Sequence, residues 1–516
     1  MLALHRIALA AAVLTSSVAA QMAGPYSINP LWPASSINFT SLAAAVQALT
    51  TNGVAGPVVL EVYDDAGPYN EASPFLPNTL WAPSTAVLVL TNWAGASATN
   101  RVTFRPAAGE SPVLDATGRA IGVFWGGADY VTLEGFEIRN APFDAISMYA
   151  DSTHGVANDA IISRCRLHDC GGSGVSIYGN SSYPVNTLVA NNLFWHLQTT
   201  HAGAFNTTGR LGYVSTRRTT NTRVVHNTFL VDTAAGTSCA IGGYPSSATE
   251  APFAEVSNNI VLKTGAPSRP IFLFQPPTGS TAPVPVVCDS NCFFDLSGGP
   301  FALHGSGGAT IAATLIDWQT NTGRDLASLG ADPLLLDIAS QNFHLAALSP
   351  CIGASTVAAG IVEDVDGQPR TVSLDIGADE YSAATITSVG VGCQGTGSIA
   401  PVLSSREWPF LGNQQFALTC SQMPPNQAML VFASFGTTTS PFVVGFGCNV
   451  YLQLAFLTGL PVVPVAGSAG TASVVVPWPA NPAYVGVNYA FQAMVIDSGA
   501  PMGITLTNAL DIVLGF

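Results

Sequence analysis

The chain has 516 residues, 48% of them apolar and only 9% charged, with a formal net charge of −15 at pH 7. That balance excludes nucleic acid as a partner, because no overall basic surface is available to displace counterions. It also excludes disorder: with 50 Gly and 35 Pro spread along so apolar a chain, the composition calls for many short buried strands separated by turns.

The first residues, MLALHRIALAAAVLTSSVAAQ, set His5 and Arg6 before a short apolar core, Ile7–Leu14, and place Val18 and Ala20 just before Gln21. The pattern predicts a secretory signal over residues 1–20, cleaved after Ala20, and so a secreted, extracellular or cell-surface protein. The signal is too short to cross a bilayer, and no other run is long and apolar enough for a membrane span. The nine cysteines of an exported chain predict some disulfides, with at least one thiol unpaired. Cys165–Cys170 and Cys288–Cys292 have the spacing of local bridges, and Cys393, Cys420 and Cys448 offer one pair near the C-terminus. None has a His or second Cys at ligand spacing, so no metal centre is predicted.

Residues 21–118 are read as an N-terminal cap and first coils. Within FTSLAAAVQALTTNGVAGPVVLEVYDDAGPYNEA (39–72), Leu42, Val46 and Leu49 share one face of a helix, suited to plugging the open end of a stack. Residues 119–382 carry a repeat: TLEGFEIRNA, IISRCRLHDC, LVANNLFWHL, RVVHNTFLVD, EVSNNIVLKT and VCDSNCFFDL align on the column Phe136, Cys165, Asn192, Asn227, Asn259, Asn291. The flanks of each unit alternate, so each reads as strand, tight turn, strand. A second family of short strands falls between them: AIGVFWGG, DAISMYAD, SGVSIYGN, SCAIGGYP, RPIFLFQPP and PFALHGSG. Three strands per coil of about thirty residues, with Gly and Asn at the corners, predict an all-β right-handed parallel β-helix, a solenoid whose coils bury their inward rows only by stacking.

Stacking puts equivalent residues about 4.8 Å apart. Buried amides in one column then hydrogen-bond along the stack, which offsets their desolvation. Asn192, Asn227, Asn259 and Asn291 are therefore expected to form an inward structural ladder, with Phe136 and Cys165 filling the column below it. Asn191 and Asn258, one position earlier, are expected to shape the bend.

These repeats resemble the pectin-lyase-like superfamily of secreted right-handed β-helix proteins. The segment 39–72 is similar to the family's entry, and DPLLLDIASQNFHLAALSPCIGAS, DVDGQPR and DIGADEYS (332–382) to a closing segment of such bacterial proteins. The resemblance spans residues 24–382. Asp364, Asp366, Asp375, Asp379 and Glu380 leave calcium open as a cofactor, although without EF-hand spacing a structural capping role is the favoured use. Residues 386–516 lose the repeat. Their strands, QAMLVFASF, TASVVVPWP, YAFQAMVIDS and NALDIVLGF, are separated by Pro/Gly turns and predict a small antiparallel β-sandwich. Surface attachment, glycan binding and a spacer role all remain open for it.

The resemblance implies an extracellular polysaccharide lying along one outward sheet between flanking loops. In the second strand family Ile121/Val123, Ile146/Met148, Val175/Ile177, Ile271/Leu273 and Phe301/Leu303 are expected to point inward. That leaves Phe124, Tyr149, Tyr178, Phe274 and His304 facing out as a sugar-stacking row. Four positions after the asparagine column stand Asn140, Asp169, His196, Val231, Lys263 and Asp295. His196 beside Asp169 offers a general base or acid. The longest coil contributes His201, Arg210, Arg217, Arg218 and Arg223, guanidinium groups suited to a carboxylate; its outward strand is either GAFNTTG or LGYVST. Asp151, His154 and Asp159 make a second, hydrolase-like cluster.

No GxSxG, HExxH or phosphate-loop motif occurs. Two functions stay open. In the first, the protein binds and cleaves a glycan, by β-elimination with His196 or Tyr178 as base and Arg210 or Arg217 as charge neutraliser, or as a glycoside hydrolase; Arg218 then contributes to substrate binding. In the second it is a non-catalytic adhesion or structural protein.

Overall fold

The computed structural model describes residues 21–75, 85–197, 212–232, 239–247, 250–265, 270–275, 285–370, 374–479, 481–484 and 486–515. Among them, parallel strands stack into three sheets. The first runs from Met22–Ile28 to Val287–Asp289, the second from Val113–Asp115 to Cys292–Asp295, and the third from Thr85–Thr91 to Ala302–His304. Each coil visits the sheets in that order, and such parallel crossovers take the right-handed turn that twisted strands favour. The outcome is a right-handed parallel β-helix.

Matching inward residues form vertical files. In the first sheet Leu60, Phe104, Leu133, Ile162, Val189, Val224 and Val256 are in register. In the second, Phe194 and Phe229 stack at 4.6 Å and 11°. All of these side chains are buried in one continuous core, and each contributes roughly 1.5–3 kcal/mol by leaving water. The asparagine column is also one file. Asn192, Asn227 and Asn259 each donate the side-chain amide to the Oδ1 of the next asparagine, at 3.0, 3.1 and 3.1 Å. The Oδ1 of Asn192 accepts from the backbone N–H of Cys165 at 2.9 Å, so the file continues where the asparagines stop. Asn191 and Asn258 have positive φ, as the bend requires.

Helix α1 (Leu42–Asn52) closes the first end. Ser41 caps it by accepting from the Ala44 N–H, Gly53 ends it at φ 69°, and Leu42, Ala45 and Leu49 are buried; Val46 is half-buried against the same core. Helix α2 (Leu315–Thr322) closes the other end with a Thr314–Asp317 capping box and the buried Trp318, packed beside Phe272 and Phe274. The segment 332–382 does not plug this end. It lies along the outside of the second sheet, where Phe343, Val365 and Ala378 cover Leu193, Trp195, Leu230 and Leu262.

Residues 385–515 form antiparallel sheets of five and three strands, consistent with a small sandwich. Leu403 and Leu418 of one sheet share a core with Val431, Phe491 and Leu510 of the other. One disulfide, Cys393–Cys448, joins this module. The local bridges expected from spacing do not form: Cys165, Cys170, Cys288 and Cys292 are free, buried thiols. Cys165 is held in the interior by the column it belongs to, and Cys288 points into the core of the first sheet.

Candidate functional site

The third sheet was expected to present an outward aromatic row, and its register corrects that row in three places. Tyr149 is level with Tyr178, Tyr178 with Arg217, and Arg217 with Tyr244. Phe124 is level with Ser147 instead, two positions off the file, and is buried against Phe75 in a 4.3 Å stack. Phe274 belongs to the interior core. His304, one residue past Leu303, is buried with its ring edge-on to Trp318 at 5.3 Å. Leu273 and Leu303, expected inside, pack instead with Cys239 and Tyr244, and Ile121 packs with the Phe75–Phe124 cluster. In RPIFLFQPP both faces are apolar, so alternation carried no phase.

What remains of the row is compact. The rings of Tyr149 and Tyr178 are parallel at 5.7 Å, and the Arg217 guanidinium lies 5.4 Å over the Tyr178 ring, a cation–π contact. Asn180 donates to the Tyr149 hydroxyl at 3.1 Å, and Arg218 donates to the Asn180 carbonyl at 2.9 Å. Arg218 thus holds the backbone of the residue that bonds the Tyr149 hydroxyl. His154 packs edge-on to Tyr149 at 5.4 Å, with its Nδ1 2.8 Å from Asp151. Asp159, grouped with this pair by sequence, sits elsewhere, on the corner entering the first sheet, where it accepts from Asn186. Tyr149 is buried, whereas Tyr178 and Arg217 are half-exposed. The strand of the long coil is Gly212–Arg217, which settles the choice for LGYVST. Arg210 and His201 lie outside the described residues.

His196 occupies the corner between the second and third sheets at φ 48°, with Asn140 and Asp169 at equivalent positive-φ positions. Its Nδ1 is 3.2 Å from Asp169 and its Nε2 3.0 Å from Asp232. Asp169 also meets His168 at 2.7 Å, and the His168 ring stacks on Trp195 at 4.2 Å. Both nitrogens of His196 are therefore engaged by carboxylates along the stack. Tyr178 stands near the far end of its strand, Val175–Gly179. From Val175 that is three steps of about 3.3 Å each, so His196 and Tyr178 belong to separate places.

Two concave features carry no local sequence signal. One is an open groove of about 550 Å³ on the outer face of the first sheet. Ile161 and Leu188 are in register on its floor. Asp159, Asn186 and Asn221, all with positive φ, form its edge: Asn221 donates to Asn186 and Asn186 to Asp159, each at 3.2 Å. Arg101 and Arg223 flank it.

The other is a cleft of about 400 Å³ where the first sheet, the 332–382 segment and the C-terminal module meet. Arg164 faces Glu134 and Glu363, and Arg166 faces Asp366. Burial, with the negative charge of Asp366, lifts the Glu407 carboxyl to about 7 despite Arg164. Burial and the Asp64 carboxyl lift Glu110 to about 8. Arg406 ties the module to the solenoid through Asp64 at 2.7 Å.

The acidic residues of the closing segment serve the chain itself. Asp364 accepts from the backbone N–H groups of Asp366, Gln368 and Glu380. Asp375 accepts from those of Gly353 and Tyr381, and Glu380 pairs with Arg370. His344, Asp366 and Asp379 come close enough together to ligate a cation.

The solved structure of pectate lyase Pel9A is 12% identical, with 69% of this chain and 97% of that one covered and a TM-score of 0.34. Full-length tailspike protein 2 from Escherichia coli O157:H7 bacteriophage CAB120 is 10% identical, with 90% of this chain and 60% of that one covered and a TM-score of 0.27. No curated protein matches the sequence. Residues 110–272 match the family model described as "Right handed beta helix region"; with the register of the coils, that match identifies the fold as a right-handed parallel β-helix.

Proposed function

We propose that the protein is an exported β-helix that binds an extracellular polysaccharide along its axis, in the open groove of the first sheet. One observation carries the reading: the groove crosses successive coils with an apolar floor, Ile161 and Leu188, and a planar polar edge, Asp159, Asn186 and Asn221. Sugar rings present C–H faces to such a floor and hydroxyls to such an edge, and ligand sites generally combine apolar lining with a few placed polar groups. A linear polymer is the ligand whose length uses a groove repeated coil by coil. The signal-like N-terminus and the Cys393–Cys448 disulfide support export, since disulfides persist in oxidising compartments.

A second reading places cleavage of a polyuronate at a separate site on the third sheet, and the Tyr178–Arg217 contact favours it. In a β-elimination a base removes the proton next to the uronate while a cation neutralises the carboxylate; the freed electron pair forms the C4–C5 double bond, the glycosidic C4–O bond breaks, and the leaving oxygen takes up a proton from water. Tyr178 and Arg217 supply base and cation side by side. His196 is then a structural corner residue.

The test is affinity electrophoresis and ultraviolet spectroscopy on a panel of polyuronates and neutral glycans, with and without calcium. Retardation by at least one glycan, lost in Leu188→Asp, is the expected result. Absence of retardation by every glycan, or unchanged retardation of Leu188→Asp, overturns the binding site. Appearance of unsaturated uronate, lost in Tyr178→Phe, establishes the cleavage reading; no product from any polyuronate removes it.

A further inference from the structure

Between Glu407 and Asp497 the sequence holds no Asp, Glu, Lys, Arg or His. Two carboxylates that follow the span are already used: Asp497 accepts from the Thr396 N–H, and Asp511 from the Thr437 hydroxyl at 2.6 Å. Within this charge-free span the hairpin Thr437–Gly445 and Cys448–Leu452 projects Phe442, Val443 and Phe446 into solvent, at 56, 67 and 73% exposure. Leu454 and Leu457 are exposed as well and meet Val444 of the hairpin around one pocket, so they extend the same apolar surface. A contiguous patch of this kind marks a docking surface.

Beside the hairpin lies an apolar pocket of about 220 Å³, and Val444, Leu454 and Leu457 both line it and reach the surface. Its one polar lining residue, Gln492, is fully used. Its amide nitrogen donates to the carbonyls of Asn449 and Thr507, each at 2.8 Å, and its oxygen accepts from the Tyr451 N–H at 3.0 Å. The pocket therefore offers no hydrogen bond to an entering group. A peptide segment would leave its own amides unpaired there, whereas hydrocarbon would not.

We infer that the C-terminal module docks on a lipid surface, with the Phe442–Phe446 hairpin tip entering the apolar layer and the end of an acyl chain seated in the pocket. The absence of charge in the hairpin favours lipid over a second copy of the chain, because protein interfaces carry a polar rim that fixes register, and residues 438–457 hold no charged side chain. It also means that no charged group must be desolvated when the face enters an apolar phase. With a net charge of −15, the attraction is apolar and not electrostatic, so a zwitterionic surface is the natural partner. The module lies against the solenoid through Arg406, so docking would hold the β-helix at the surface.

The test is flotation of the full chain with phosphatidylcholine vesicles. Binding that persists at high salt and falls at least tenfold in Phe442→Ser/Phe446→Ser supports the inference, provided the variant melts like the parent. A similar fall in Leu457→Gln, at the pocket mouth, supports the acyl seat. No flotation of the intact chain overturns the inference, and so does flotation unchanged in the double variant. A concentration-dependent dimer in sedimentation velocity that the same two substitutions dissolve, without vesicle binding, assigns the face to a second copy instead. Leu457→Gln binding like the parent removes the acyl seat.

Discussion

Asn227 donates its side-chain amide to the Oδ1 of Asn259 at 3.1 Å, and to the backbone carbonyls of Val189 and Val225, each at 3.0 Å. Its own Oδ1 accepts from the backbone N–H and the side chain of Asn192. Replacing it with alanine strands several buried polar groups at once, each costing about 1–3 kcal/mol. Asn227→Ala is expected to destabilise the central coils by on the order of 3 kcal/mol or more. Urea unfolding followed by circular dichroism measures it; a midpoint within error of the parent refutes the structural role of the file.

Lys263, the single lysine of the chain, is buried, with its ammonium 2.8 Å from Asp295 and 2.7 Å from the Gly298 carbonyl. Removing one member of a buried pair leaves the other uncompensated. Lys263→Met is expected to cost about 3 kcal/mol. Lys263→Met/Asp295→Leu should recover most of that loss, since a buried pair contributes little against an apolar replacement. The double-mutant cycle checks both statements.

His344 gives a pH dependence. Burial opposes a charge on its ring, but the carboxylates of Asp366 and Asp379 outweigh it and lift the imidazolium to about 9. The folded value lies above the unfolded one, 6.5. The stabilisation is therefore complete below pH 6.5 and is lost as the pH climbs to about 9. It amounts to about 3 kcal/mol. The parent should lose melting temperature across that window relative to His344→Gln. Parallel pH profiles for the two proteins would refute the assignment.

Reduction of Cys393–Cys448 opens a loop spanning 55 residues. Loop-closure entropy puts the loss at about 4 kcal/mol in the C-terminal module. Thermal melts with and without reductant should show the module's transition moving down while that of the β-helix stays in place, since the solenoid's described cysteines are all free.

The coil repeat was legible because it is periodic in the sequence: a ligand-like residue such as Asn192 announces its structural use through Asn227 and Asn259 at matching places. Orientation in the third sheet was not. The runs around Phe124 and Phe274 are apolar on both faces, so a shift of one or two positions leaves no trace in the pattern. The end of the strand that carries Tyr178 was legible because Gly179 and Asn180 mark it. The charged cleft was invisible for another reason. Arg164 meets Val365 across 201 residues, and nothing local in ISRCRL or DVDGQ announces the partner. The open groove was missed because Asp159, Asn186 and Asn221 look like ordinary turn residues one coil at a time.

The amide file runs in one direction only. Every link from Asn192 to Asn291 donates toward the higher-numbered coil, and the last amide donates to the Asp325 carboxylate oxygen at 2.8 Å. Four parallel side-chain dipoles therefore add, as peptide dipoles add in an α-helix, and their positive pole points toward the α2 end. An acidic residue waits at that pole, itself bound by Trp318 and Ser328. The solenoid thus has an electrical head and tail, with the accepting pole of the file meeting the Cys165 backbone N–H.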